Sequence, residues 1–231
     1  FFQAEDGIRD TDRSRGSEMC IRDRIGEFVF ETVCRFIQEK QLTDYGLQYI
    51  EINLSVVQCM QENLAERLTE IMKKYHVAPA QINLEITETA AAHSDMLENN
   101  IKILHKQGIE FSLDDYGSGY SNTDYLFRFP FRIVKIDKTI LWEAFKNEKA
   151  MIALRNTIRM IKELGLEIVV EGVENQEYVD YLTEQHCDYL QGYFYSKPIP
   201  DRDFLELLRR ENAQYYAERF SKNELSDIIT T

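Results

Sequence analysis

Two adjacent aspartates, Asp114-Asp115, stand directly before a glycine-rich turn, Gly117-Ser118-Gly119. They close one of six short strand-like segments, and the other five finish on Asn53, Glu85, Lys135, Glu171 and Gln191. Side chains alternate between the faces of a strand. In Ile50-Glu51-Ile52-Asn53-Leu54 the isoleucines and Leu54 therefore share one face, with Glu51 and Asn53 on the other. In Ile82-Asn83-Leu84-Glu85-Ile86 the same split sets Glu85 opposite the apolar residues. Asp114 shares a face with Ser112 and Glu110, Lys135 with Ile133, Glu171 with Val169, and Gln191 with Tyr189. Carboxylates gathered on one such face repel each other and lose hydration, and cations relieve both costs. The aspartate pair is expected to send one side chain inward and the other onto the loop. That suits two neighbouring divalent ions sharing a carboxylate, with Gly117 and Gly119 letting the loop adapt. Alone, such a pair is more often a solvated turn or a cap; the five other strand ends favour a site.

The remaining residues near these ends have two readings each. Glu88, past its strand, either hydrogen-bonds a loop or places charge at a helix N-terminus. Lys135 either orients an attacking water or forms a buried ion pair with Asp137 or Glu171. Glu171 is placed for metal binding or base work, whereas Glu174 suits a helix start. Gln191 adds an amide, and Gly192 lets a ligand approach closely.

The elements that must hold these residues alternate regularly from about residue 26. Helices are expected over Glu27–Lys40, Asn63–Tyr75, Ser94–Gln107, Asp124–Phe129, Glu148–Leu164, Gln176–Gln185 and Asp201–Arg210, the last with Asp201 as N-cap. Strands fall between them, including Ile109–Asp114, Arg132–Ile136, Glu167–Glu171 and Tyr189–Gln191. Such alternation implies parallel strands with right-handed crossovers, an α/β fold. Strands of an open doubly wound sheet are usually apolar on both faces. A polar face on each strand instead suits a TIM-like (β/α) barrel with its ligand-bearing ends at one mouth. Six of the eight strands of such a barrel are visible, so the barrel is expected to be incomplete.

The chain has 231 residues and a formal net charge of -13. The length allows one domain with a substantial core, and the charge argues against a nucleic-acid polymer as partner. Cys20, Cys34, Cys59 and Cys187 show neither a CxxC pair nor zinc spacing, and read as reduced thiols. Residues 1–24 are charge-rich without a sustained period and resemble the translated read-through of a sequencing-library adapter. They are expected to be a non-native or disordered leader, with the folded domain over 25–211 and a helical or frayed tail over 212–231.

Taken together, Asn53-Leu54-Ser55, Glu85-Ile86-Thr87-Glu88, Asp114 through Ser121, Lys135-Ile136-Asp137, Glu171-Gly172-Val173-Glu174 and Gln191-Gly192-Tyr193 resemble, in order and spacing, the motifs of the EAL domain. The likeness covers roughly residues 25–210. That family comprises bacterial cyclic di-GMP phosphodiesterases with a modified TIM-like barrel containing one antiparallel strand. The resemblance implies hydrolysis of cyclic di-GMP to linear pGpG with two Mg²⁺ or Mn²⁺ ions. It implies that Asn53, Glu85 and Asp114 hold the first ion, and Asp114, Asp115 and Glu171 the second. Lys135 would contact the hydrolytic water and Glu88 anchor the loop after Asp115. Asp137, Gln191, Gly117 and Gly119 would support substrate and loop. It further implies a cytoplasmic signalling domain, a homodimer through the barrel, and a sensory or GGDEF-type domain on an intact parent that is able to be membrane-anchored elsewhere. The Glu-Ala-Leu segment itself is absent, and with it one ion ligand, so little or no turnover is expected of this chain. The competing expectation is a catalytically silent module that binds cyclic di-GMP or a protein.

Overall fold

The computed structural model describes residues 15–88, 95–119 and 123–212. Six strands, β1 (Ile50–Asn53), β2 (Ile82–Thr87), β3 (Glu110–Tyr116), β4 (Ile133–Ile136), β5 (Glu167–Val170) and β6 (Tyr189–Leu190), form one sheet in sequence order. All five pairings are parallel. The antiparallel strand of the expected barrel has no counterpart among the described residues.

The sheet curls, and its side-chain contacts show why. Ser112 on β3 lies 3.5 Å from Glu51 on β1, and Lys135 on β4 lies 2.5 Å from Glu85 on β2. Each contact skips the strand between. Neighbouring strands run about 4.8 Å apart, so next-nearest side chains meet this closely only on a concave face. At the opposite end of the strands Arg132 donates to Glu167 and lies 5.6 Å from the Tyr49 ring, drawing β4 and β5 toward the start of β1. The result is a half-barrel with a polar interior.

Helices cover the convex face. They are α1 (Arg15–Lys40), α2 (Val56–Cys59), α3 (Leu64–Lys74), α4 (Asp95–Lys106), α5 (Asp124–Arg128), α6 (Lys138–Ala144), α7 (Glu148–Glu163) and α8 (Gln176–Glu184), followed by helical residues 201–212. Ile82, Leu84 and Ile86 are fully buried against them, as are Leu64 and Leu68 on α3 and Leu154 and Ile161 on α7. These i, i+4 and i, i+7 spacings are the buried stripes of amphipathic helices. Each such side chain contributes about 1.5–3 kcal/mol on burial. Asn147 and Asn175 cap α7 and α8 by accepting from Lys149 N and Tyr178 N, each cap worth about 1 kcal/mol.

Several boundaries differ from expectation. α1 begins at Arg15, inside the expected leader; residues without a long apolar period extend an existing helix because elongation avoids the nucleation cost. α2 and α6 were not anticipated, being four and seven residues long, too short for a period to show. The last helix starts from the Pro200 carbonyl, which accepts from Phe204 N, so Asp201 is its first residue and not its cap. Tyr120 and Ser121 of the expected loop, Ser94 of the expected helix and the tail beyond residue 212 lie outside the described residues. Among the described residues no helix is long and apolar enough to cross a membrane.

Two substitutions test the packing by urea denaturation. Leu84→Ala should cost about 2–5 kcal/mol. Gly192→Ala would drive a Cβ into the Val173 backbone, and should cost about 1–3 kcal/mol by overpacking.

Candidate metal and phosphate site

The polar interior is layered. In its deeper layer Ser112 Oγ donates to Asn83 Oδ1 at 3.0 Å and lies beside Glu51. Above it, at the C-terminal ends of the strands, Lys135 is fully buried, and its Nζ lies 2.5 Å from Glu85, 2.9 Å from Glu171 and 3.2 Å from Asp114. Of the two readings of Lys135, the ion pair forms with Glu171 together with Glu85 and Asp114. The Asp137 carboxylate accepts from Thr139 N at 2.8 Å and from the Thr139 hydroxyl, capping α6.

Asp115 departs most from simple alternation. The expected strand stops at Asp114, with Asp115 on the loop. In the structure β3 runs on to Tyr116, its register with β4 shifts between Leu113 and Tyr116, and Asp115 has φ +57°. A regular strand would turn Asp115 to the opposite face. The bulge re-aims it. As a result one carboxylate oxygen from each of Asp114, Asp115 and Glu171 lies within 4.8 Å of the other two. Aspartate tolerates the left-handed region better than most residues, yet such positions hold about 1–3 kcal/mol of strain, and they cluster at functional sites.

The electrostatics are unbalanced toward negative charge. One ammonium faces Glu85, Asp114, Asp115 and Glu171. Burial pushes the Glu85 carboxyl up, Lys135 opposes the shift, and Glu51 and Asp114 add to it. Burial likewise raises Asp115, helped by Asp114 and Asp137, and raises Glu171 against the pull of Lys135. Burial disfavours the Lys135 charge, but Glu85, Asp114 and Glu171 outweigh it and hold the ammonium more firmly than usual. A surplus of hard, partly desolvated oxygen donors is the chemistry that Mg²⁺ or Mn²⁺ satisfies. The residues present therefore fit divalent ions.

The other expected residues surround this centre. Asn53 ends β1 exposed, paired in register with Glu85. Buried Glu88 accepts from Gly117 N at 3.4 Å, tying the turn after Asp115 to the end of β2; the loop hydrogen bond forms, and Glu88 itself is helical, so both of its readings are met. Gly117 has φ +91°, which favours glycine, whereas a Cβ at Gly119 would meet only open space. Gln191 follows β6; its side-chain oxygen is buried without a hydrogen bond among the described residues. Sequence reasoning passed over Trp142, whose Nε1 donates to the Gly172 carbonyl at 2.8 Å, one residue beyond Glu171. Its available signal was the i, i+4 spacing from Lys138.

The EAL domain family model matches residues 17–198. Signaling protein YkoW of Bacillus subtilis is 31% identical over 82% of this chain and 24% of its own length. Cyclic di-GMP phosphodiesterase RocR of Pseudomonas aeruginosa is 34% identical over 62% of the chain and 37% of its own. This chain thus spans only about a quarter to a third of those relatives. A solved structure described as the PaMucR phosphodiesterase in complex with c-di-GMP superposes with a TM-score of 0.76 at 28% identity, covering 81% of this chain and 76% of the other.

Two variants separate the roles of charge and backbone. Lys135→Met leaves buried carboxylates without their counter-charge, and should lower stability by about 3–5 kcal/mol in urea titrations without divalent ions. Asp115→Gly relaxes the left-handed backbone, so stability should stay within about 1 kcal/mol. Mn²⁺ affinity, read by calorimetry, should nevertheless fall at least about tenfold.

Proposed function

This chain belongs to the EAL domain family, and from that membership we propose that its rim binds two divalent cations, Mg²⁺ or Mn²⁺, together with cyclic di-GMP. In an intact parent the same site would hydrolyse cyclic di-GMP to linear pGpG. The observation that carries the reading is the convergence of Asp114, Asp115 and Glu171 within 4.8 Å around the ion-paired Lys135. RocR, named for this activity, and the PaMucR complex support the choice of ligand.

When bound, the ions neutralise charge developing on the phosphodiester and make water a better nucleophile. Asn53, Glu85 and Asp114 would hold one ion, and Asp114, Asp115 and Glu171 the other. With the ions bound and sharing its carboxylate partners, Lys135 would turn one N–H toward the attacking water and orient it for in-line approach to phosphorus, with the 3′ oxygen leaving opposite. Its own proton stays in place, because three carboxylates stabilise the ammonium. Glu88 keeps the turn after Asp115 from drifting by accepting from Gly117 N. Asp137 acts at a distance, fixing the start of α6 beside the rim. Gln191 supports the Glu171 side of the mouth. The proposal takes residues 25–211 as the domain, and it extends to a homodimer through the barrel and a sensory or GGDEF-type neighbour in a longer parent.

The absence of a Glu-Ala-Leu segment favours a second reading for the chain itself: binding without appreciable turnover. Calorimetry with Mn²⁺ and then cyclic di-GMP, alongside chromatography for pGpG, distinguishes the two. The chain should bind both, and Asp114→Ala should weaken Mn²⁺ binding about a hundredfold, since Asp114 serves both ions. A chain that binds neither ion nor dinucleotide ends the proposal.

A further inference from the structure

Lys138 opens α6, one residue beyond its Asp137 cap, and its side chain is exposed. An exposed lysine is ordinarily a solvated charge, but three observations set this one apart. Its Nζ lies 5.7 Å from the centre of the Trp142 ring, one helical turn on, an arrangement that restrains a flexible ammonium over an aromatic face. The Trp142 indole is in turn fixed by donating to the Gly172 carbonyl. Gly172, at φ +72°, has no Cβ, and one placed there would collide with the Lys138 Cβ and crowd the Trp142 nitrogen. The backbone next to Glu171 is thus pressed against the root of Lys138.

The position also bears on the site: Lys138 follows the Asp137 cap at the ends of the strands, and its Cβ lies against Gly172, the residue after Glu171. Lys135 is fully buried and engaged with three carboxylates. Among the described residues Lys138 forms no ion pair; its ammonium contact is the Trp142 ring. A dianionic ligand approaching a mouth of four carboxylates meets repulsion that bound ions offset only near their own positions. A restrained, solvent-facing ammonium on the Asp115–Glu171 side would extend the attraction outward.

We propose that Lys138, mounted on Trp142, is a phosphate-binding side chain at the mouth, contacting a backbone phosphate of cyclic di-GMP beside Asp115 and Glu171. This rests on the reading of the site given above. Lys138 binds the ligand directly; Trp142 positions it.

The test is calorimetry on the full chain, measuring Mn²⁺ first and cyclic di-GMP in saturating Mn²⁺ second. Lys138→Gln should weaken cyclic di-GMP binding on the order of tenfold, the loss of one charge-assisted phosphate contact. It should leave Mn²⁺ affinity equal or slightly higher, because a repelling cation has gone. Lys138→Arg should restore dinucleotide binding. Trp142→Leu should weaken it in part, and the salt dependence of binding should flatten in Lys138→Gln. Wild-type chain that binds no cyclic di-GMP overturns the reading of the site and this inference with it. Wild-type binding that is unchanged in Lys138→Gln overturns the inference alone, as does parallel loss of Mn²⁺ and dinucleotide affinity, which marks a structural role.

Discussion

A fully buried ammonium is the constraint on which this structure turns. The Lys135 side chain is fully buried, and the desolvation of such a charge is tolerable only with close counter-charges in good geometry. Glu85, Asp114 and Glu171 supply them from three other strand ends. For those groups to reach one nitrogen the sheet must be concave. The concavity in turn lets Ser112 reach across β2 to Glu51, and lets Arg132 lie against Tyr49. The interior charge cluster and the curvature therefore require each other.

The cost of that cluster is met on the other face. Ile82, Leu84, Ile86, Leu113 and Ile168 are completely buried beneath the helices. Hydrophobic burial on the convex side holds the strands in place whatever the polar side demands, as each strand presents both faces at once. Because Lys135 and the carboxylates around it stand at strand ends rather than on long loops, their positions are set by the sheet register. That rigidity holds the oxygens of Asp114, Asp115 and Glu171 within 4.8 Å of one another.

Where the register would have misplaced a donor, the backbone gives way. Asp115 follows Asp114 directly, and strict alternation would separate them. The bulge and the left-handed φ at Asp115 bring both carboxylates to Glu171. Gly117 and its hydrogen bond to Glu88 then anchor the turn. Around α6 a comparable adjustment occurs: Gly172 yields space so that Lys138 and Trp142 can close over the end of β5.

Much of this was legible in the residues. The alternation of apolar and polar positions in Ile82–Ile86 is a local property with period two, so the strand, its two faces and Glu85 at its end follow from the string alone. The same holds for the helix frames of α3 and α7, and for the order of motifs that marks the family. Other features depend on partners distant in the chain, which no local period encodes. The helical backbone from Arg15, the short helix from Lys138, the capping role of Asp137, and the turn of Asp115 toward Asp114 and Glu171 are of that kind. Sequence alone determined which groups stand at the strand ends, because chain periodicity orients a side chain relative to its own strand. Only the tertiary structure decided which of them meet, because the distance between separate strands is set by the curvature of the sheet and the charges buried within it.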